Sequence, residues 1–249
     1  MPSTTQNNRF YRNLIQGPSL VSFRVTVKET DLFIRADKNL KSVARNVVLQ
    51  YRGYIEAYIK EHPGFGKTLN PWRVNGPAPM IIKDMALAGA LAGVGPMASV
   101  AGAISEYVGK DLLSHTRDIV VENGGDCFIK TNKSITVGIY AGESPLSLRI
   151  GLKIDGDKNP VAVCTSSGKI GHSLSLGSAH AVCVVSESCP LADASATAIA
   201  NRVHSKSDIR KAIDFGKTID GATGLVVIVD DEIGIWGDIK VVPLNIKKG

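Results

Sequence analysis

The chain has 249 residues, 44% of them hydrophobic but only 6% aromatic, with 25 glycines and a net charge of +6. It is long and apolar enough to bury a full core of Ala, Val, Ile and Leu at close backbone approach, and it is read as one domain, 1–249. Its Lys and Arg are scattered rather than gathered into a run or stripe, which argues against a nucleic-acid partner and leaves a small anionic ligand compatible.

Cys127, Cys164, Cys183 and Cys189 show no CxxC spacing, and residues 1–8 are polar rather than a leader. Disulfides are therefore not expected, and the chain is read as cytoplasmic. Residues 85–104 carry no charge and are long enough to span a membrane. They are mostly Ala and Gly, however, and Gly95-Pro96 breaks them, so they are read as buried helices and no membrane partner is expected.

Residues 1–16 read as a flexible arm. Residues 21–27 and 32–36 alternate as strands around a turn at 28–31, and Asp37 offers an N-cap to a helix over 40–61, whose apolar positions recur at helical spacing. A Pro, Gly and Asn-rich loop follows to Pro79, with Trp72 as a packing anchor. Helices are predicted over 79–91 and 96–113. The GxGxxA match at Gly93–Ala98 lacks a preceding strand, so the glycines are read first as permitting close helix approach. Pro96 nevertheless leaves free N–H groups at a helix start that could hold a phosphate. Strands over 118–122, 127–130, 135–140 and 146–154, joined by short turns, predict an antiparallel meander, with a tight turn at Asn123-Gly124-Gly125-Asp126. A short helix over 207–218 and strands over 225–229, 233–236 and 240–244 close the chain.

The stretch 166–201 carries the chemistry. It reads as a loop bearing His172, a buried strand over 179–186, and a helix opened by Pro190. Asp193 and Thr197 stand four apart on that helix, so their oxygens share one face and could hold a hard cation together with a phosphate. The plain alternatives are a helix-start acid and a threonine bonded back to a carbonyl. His172, in a Gly/Ser loop, could protonate a leaving group or bind phosphate. His180, entering a strand, reads as structural. Asp126 is either a turn cap or a ligand contact. Cys189, just before Pro190, is the one thiol that a helix N-terminus would activate.

The order of these motifs resembles the ApbE superfamily, whose best-known members are FAD:protein FMN transferases. The turn at Asn123–Asp126 with Ile135–Ile139 resembles the family's GGD turn and VGI strand, Ser167-Gly168 with His172 its SG…H segment, and Leu191–Thr197 its ADALST helix. The segment from Gly95 to Ile104 and the HPGF at 62–65 resemble an uncharacterised cytoplasmic branch. The resemblance implies an α+β fold of the ApbE/T-fold-like kind, with antiparallel sheets and long helices packed on one side. It implies Mg2+ at Asp193 and Thr197, and FAD or FMN as the small phosphorylated ligand. Contacts to that ligand would come from Gly95, Ser99, Gly124, Gly125, Asp126, Ser167 and Gly168. Ser99 stands where the transferases carry a lysine, and the His172 loop is shorter than theirs. The expected function is Mg2+-dependent binding of a flavin or other nucleotide, with group transfer at a phosphoanhydride if the chain is an enzyme. FMN transfer is one alternative. The other is a thiol-dependent role in sulfur handling, with Cys189 as carrier and His172 as its base, since the branch is loosely associated with sulfide assimilation. Exposed sheet edges would favour a homo-oligomer.

Overall fold

The computed structural model describes residues 20–156, 159–168 and 177–244. The expected N-terminal arm lies outside them. Among the described residues, eleven strands form two antiparallel sheets. The larger sheet runs β1 (Val21–Val27), β2 (Thr30–Ala36), β3 (Ile119–Asn123), β4 (Asp126–Lys130), β7 (Val161–Ser166), β8 (Ala181–Ser186), β9 (Ala222–Val229) and β10 (Glu232–Gly237). The smaller runs β11 (Lys240–Pro243), β6 (Ile150–Ile154) and β5 (Ile135–Gly138).

The five α-helices among the described residues lie on one face of the large sheet: α1 (Lys41–Glu61), α2 (Met80–Ala92), α3 (Val100–Leu112), α4 (Cys189–Ala200) and α5 (Ile209–Gly216). The small sheet covers part of the other face. Alternate residues of each central strand point to opposite faces. Val121, Phe128, Cys164, Val182 and Val227 pack under the helices, while Val120, Cys127, Val163, Cys183 and Val226 pack against Val137 and Leu152 of the small sheet. Burial on both faces explains why β8 and β9 read as unbroken apolar runs rather than alternating ones.

The α+β architecture is thus as expected, but the single meander is not. Strands β5 and β6 leave the large sheet, and β4 pairs instead with β7, which is not among the strands expected from the sequence. Asp37 does not cap α1. Its carboxylate accepts from the Thr116 hydroxyl and the Arg117 amide, and the capping position falls on Leu40, whose side chain makes no cap bond. Residues 96–99 form a 3-10 turn ahead of α3, and residues 146–149 are turn rather than strand. Trp72 packs edge-on against Phe65 at 6.0 Å, the anchoring role expected of it. Among the described residues no single helix is long and apolar enough to cross a membrane; α2 and the helical run Pro96–Leu112 are bent 105° apart.

Candidate functional site

The helix α4 begins as its sequence predicts. Ser188 caps it, its side chain accepting from the Leu191 amide at 3.4 Å, and Pro190 fits the first turn, where no amide is required. Asp193 and Thr197 sit one turn apart on it. The Asp193 Oδ2 accepts from the Gly102 amide at 2.9 Å, and Ala101 donates to the same carboxylate. Both amides belong to the first turn of α3, which lacks intrahelical acceptors. Asp193 therefore caps α3 from across the helix interface. A Cβ at Gly102 would fall 2.4 Å from the Cys189 carbonyl oxygen and 2.9 Å from the Asp193 Cβ, so only glycine lets the two helices meet there.

A second carboxylate faces the first. Asn123 and Asp126 pair across a two-residue turn in which Gly124 and Gly125 both hold positive φ, 70° and 116°. Glu122 fixes this turn by accepting from the Gly125 amide at 2.9 Å, and the Ser105 hydroxyl donates to the Asp126 carbonyl. The Asp126 side chain is buried, bonded by the Cys164 thiol and the Thr165 amide. Burial and the nearby Asp193 push its carboxyl well above the ordinary range, while burial pushes Asp193 up to about 7 against the lowering effect of the α3 amides. No lysine or arginine is among the principal influences on either group. Among the described residues, two acids thus share a site with no cation among the groups acting on them. Near neutrality the pair retains a proton.

Thr197 is 8% exposed and lies one turn beyond Asp193 on the same helix. Ser166, on the face of β7 that carries Cys164, has a buried hydroxyl with no hydrogen-bond partner among the described residues. These donors suit a hard cation. Among the described residues no three of His, Cys, Asp and Glu are grouped to hold a metal by themselves.

The thiol reading fails on geometry. Cys189 is fully buried, and its amide, which should have stabilised a thiolate, donates instead to Glu106 Oε2 at 2.7 Å. Burial raises the thiol pKa, and Glu106, Asp126 and Asp193 raise it further. Cys127, Cys164 and Cys183 are also buried with raised pKa values. Iodoacetamide should therefore modify no cysteine of the native protein at pH 8 and all four after unfolding. Mass spectrometry of both samples checks this, and one rapidly labelled native cysteine would contradict it.

The remaining sequence candidates divide. Gly95 lies against the loop at Thr68, whose carbonyl oxygen would be 1.9 Å from a Cβ, so its glycine serves packing. Ser99 is fully buried and donates to the Pro96 and Met85 carbonyls, which turns its hydroxyl into the fold. Neither joins the carboxylate pair. Ser167 bonds the Ala179 carbonyl, as does the Gly168 amide, and a Cβ at Gly168 would strike the Gly177 carbonyl. These two residues hold together the base of the segment that carries His172, which itself lies outside the described residues. His180 is structural: its Nδ1 accepts from the Asp230 amide. The sequence reading missed Glu106, Glu122, Cys164 and Ser166. For Glu106 the signal was available, since it is the first acid after a long uncharged run.

This arrangement, a large antiparallel sheet with helices on one face and an Asp/Thr helix facing a Gly-Gly-Asp turn, is an ApbE-like fold. The flavinyl transferase ApbE of Pseudomonas stutzeri in its apo form superimposes with a TM-score of 0.55 at 12% identity, over 89% of this chain and 95% of that one. The flavin transferase ApbE of Vibrio cholerae gives 0.56 at 12%, over 89% and 97%. The family model described as AbpE bacteria matches residues 12–232. A UPF0280 protein of Methanococcus aeolicus is 41% identical over 226 residues, 88% of this chain and 91% of that protein. One from Methanopyrus kandleri is 40% identical over 225 residues, with 88% and 91% covered. The chain belongs to the UPF0280 family.

Proposed function

We propose that this chain binds a phosphorylated ligand of the flavin or nucleotide kind together with Mg2+, between α4, the Gly124-Gly125 turn and the end of β7. The observation that carries the reading is the buried pair Asp126 and Asp193, raised in pKa and, among the described residues, without a neutralising cation, one turn from Thr197. Such a site is costly as it stands and is relieved by a divalent cation. Asp193 would orient the ion, with Thr197 and Asp126 beside it. Ser166, an orphaned hydroxyl, would meet a ligand or water oxygen. Flavin is favoured within the class because the solved proteins sharing this fold are flavin transferases.

Bound Mg2+ would neutralise charge developing on the bridging oxygens of a phosphoanhydride, so group transfer there is the expected reaction class, with FMN transfer its most specific form. The chain's own part is to position and desolvate. The carboxyl pair can lend a proton to a ligand oxygen, and His172 is assigned proton transfer from its place in the sequence.

Thermal shift with FAD, FMN and ATP, each with and without Mg2+, tests the reading. A ligand at 100 times its Kd should stabilise the protein by about 2.7 kcal/mol. The shift should require Mg2+ and disappear in Asp193→Ala. No shift with any of the three would remove the basis of the proposal.

A further inference from the structure

We propose that β10 is the contact between two copies of this chain, paired antiparallel about a two-fold axis at Ile235 so that the two large sheets become one. The large sheet ends in β1 on one side and β10 on the other, and the two edges differ in kind. On β1 the outward residues are Ser22, Arg24 and Thr26, and Arg24 is held in a two-point ion pair with Asp31. Polar and charged side chains of this sort discourage strand addition. On β10 the run Ile233-Gly234-Ile235-Trp236-Gly237 carries no charge and no proline, and Ile233 and Ile235 are 38% and 47% exposed. The small sheet covers the middle of that face but leaves these two isoleucines open to solvent.

The backbone fixes which groups are free. Val229 and Glu232 flank a two-residue turn, so in the β9–β10 ladder Glu232, Gly234 and Trp236 turn their amides and carbonyls inward. Ile233, Ile235 and Gly237 therefore present theirs outward. Antiparallel pairing centred on Ile235 matches these outward groups with each other: Ile235 with its copy, and Ile233 with Gly237 of the other chain. It keeps each face of the sheet continuous and gathers the four isoleucines of the pair into one apolar patch. Trp236 of one chain then lies across from Gly234 of the other, a large residue beside one with no side chain. Gly237, at φ 96°, bends the chain away just where the paired stretch ends.

A second copy is the occupant favoured here because the edge is complementary to itself in this register, Trp236 facing Gly234 and Ile235 its own copy. The described residues begin beside β1, at the opposite edge of the sheet, and end just after β11 in the small sheet.

The test uses the full chain. Sedimentation at tens of micromolar should give twice the chain mass for wild type, and half of that for Ile235→Lys, which sets two like charges at the axis. Since all four native cysteines are buried, Ile235→Cys introduces a single accessible thiol facing its own copy, and mild oxidation should convert it to a disulfide-linked dimer. Ser22→Cys, on the β1 edge, should remain uncrosslinked. A wild-type mass of one chain, a dimer that survives Ile235→Lys, or equal crosslinking of Ser22→Cys would each overturn the proposal. If Ile235→Lys does not fold, the two cysteine variants decide it.

Discussion

Replacing Asp193 by asparagine is expected to make the ligand-free protein more stable at pH 8 while abolishing its response to Mg2+. The sign follows from the raised carboxyl. Folding lifts the Asp193 pKa from the ordinary aspartate value of about 3.9 to about 7. The native state therefore binds this proton more tightly than the unfolded chain, and stability falls as pH rises between those two values. Above pH 7 the penalty is fully present; below about pH 4 it is absent. Asparagine removes it and can still accept one of the two α3 amide bonds, so a net gain of a few kcal/mol is expected at pH 8 and little change at pH 4. For a chain of this size each kcal/mol corresponds to about 2–4 °C in Tm. Melting curves of both proteins across pH 4–8 check this. Added Mg2+ should narrow the difference by stabilising the wild type at pH 8 alone. An asparagine variant less stable than wild type at pH 8 would show that the carboxylate is worth more as a cap on α3 than it costs as a buried charge.

Gly102→Ala is expected to be strongly destabilising. The added carbon would lie 2.4 Å from the Cys189 carbonyl oxygen, inside any tolerable contact, and 2.9 Å from the Asp193 Cβ. Both belong to the backbone or stem of α4, a helix buried on nearly every side, so neither can swing away. Helix α3 must shift as a body, at a cost of about 1–3 kcal/mol or more. The shift would also part the Gly102 amide from Asp193 and loosen the carboxylate site, so ligand-induced stabilisation should fall along with Tm. Gly53→Ala provides the contrast. Gly53 is exposed within α1 with nothing within 4 Å of a Cβ, and there alanine should stabilise by about 0.5–1 kcal/mol through helix propensity alone. Differential melting of the two variants reads both effects.

Local chemistry made much of this fold legible. Strand β1 is bounded where its alternation begins and ends, and α1 where its apolar spacing runs, because both patterns are set within one element. Strand β7 was missed although Val161-Ala162-Val163-Cys164-Thr165 stands between Asn159-Pro160 and Ser166-Ser167-Gly168, a short apolar run between turn signals. Which sheet a strand joins was not legible. Strands β5 and β6 look locally like their neighbours, and only packing across the large sheet assigns them to a second layer. The site divides in the same way. The spacing of Asp193 and Thr197 is a property of one helix, and so could be read. The role of Glu106, holding an amide 83 positions away, depends on an approach of α3 to α4 that no local pattern encodes. Cys189 was misjudged for the same reason, since the helix start that should have activated it is already occupied by that glutamate.

The position of the last strand bears on how the chain is made. Seven of the eight strands of the large sheet add in chain order to an edge already present, and only the detour through β5 and β6 interrupts them. A polypeptide emerging from the ribosome could therefore lay down this sheet progressively. The small sheet cannot close in that way, because β6 lies between β5 and β11, and β11 arrives only at residues 240–243. Until β11 has been made, Val120, Ile129, Val163 and Val226 face an unfinished cover. Apolar surface exposed during growth is what chaperones bind and what aggregates when they are scarce. Ribosome stalling ahead of β11 would leave a nascent chain with an assembled helical layer and a bare opposite face.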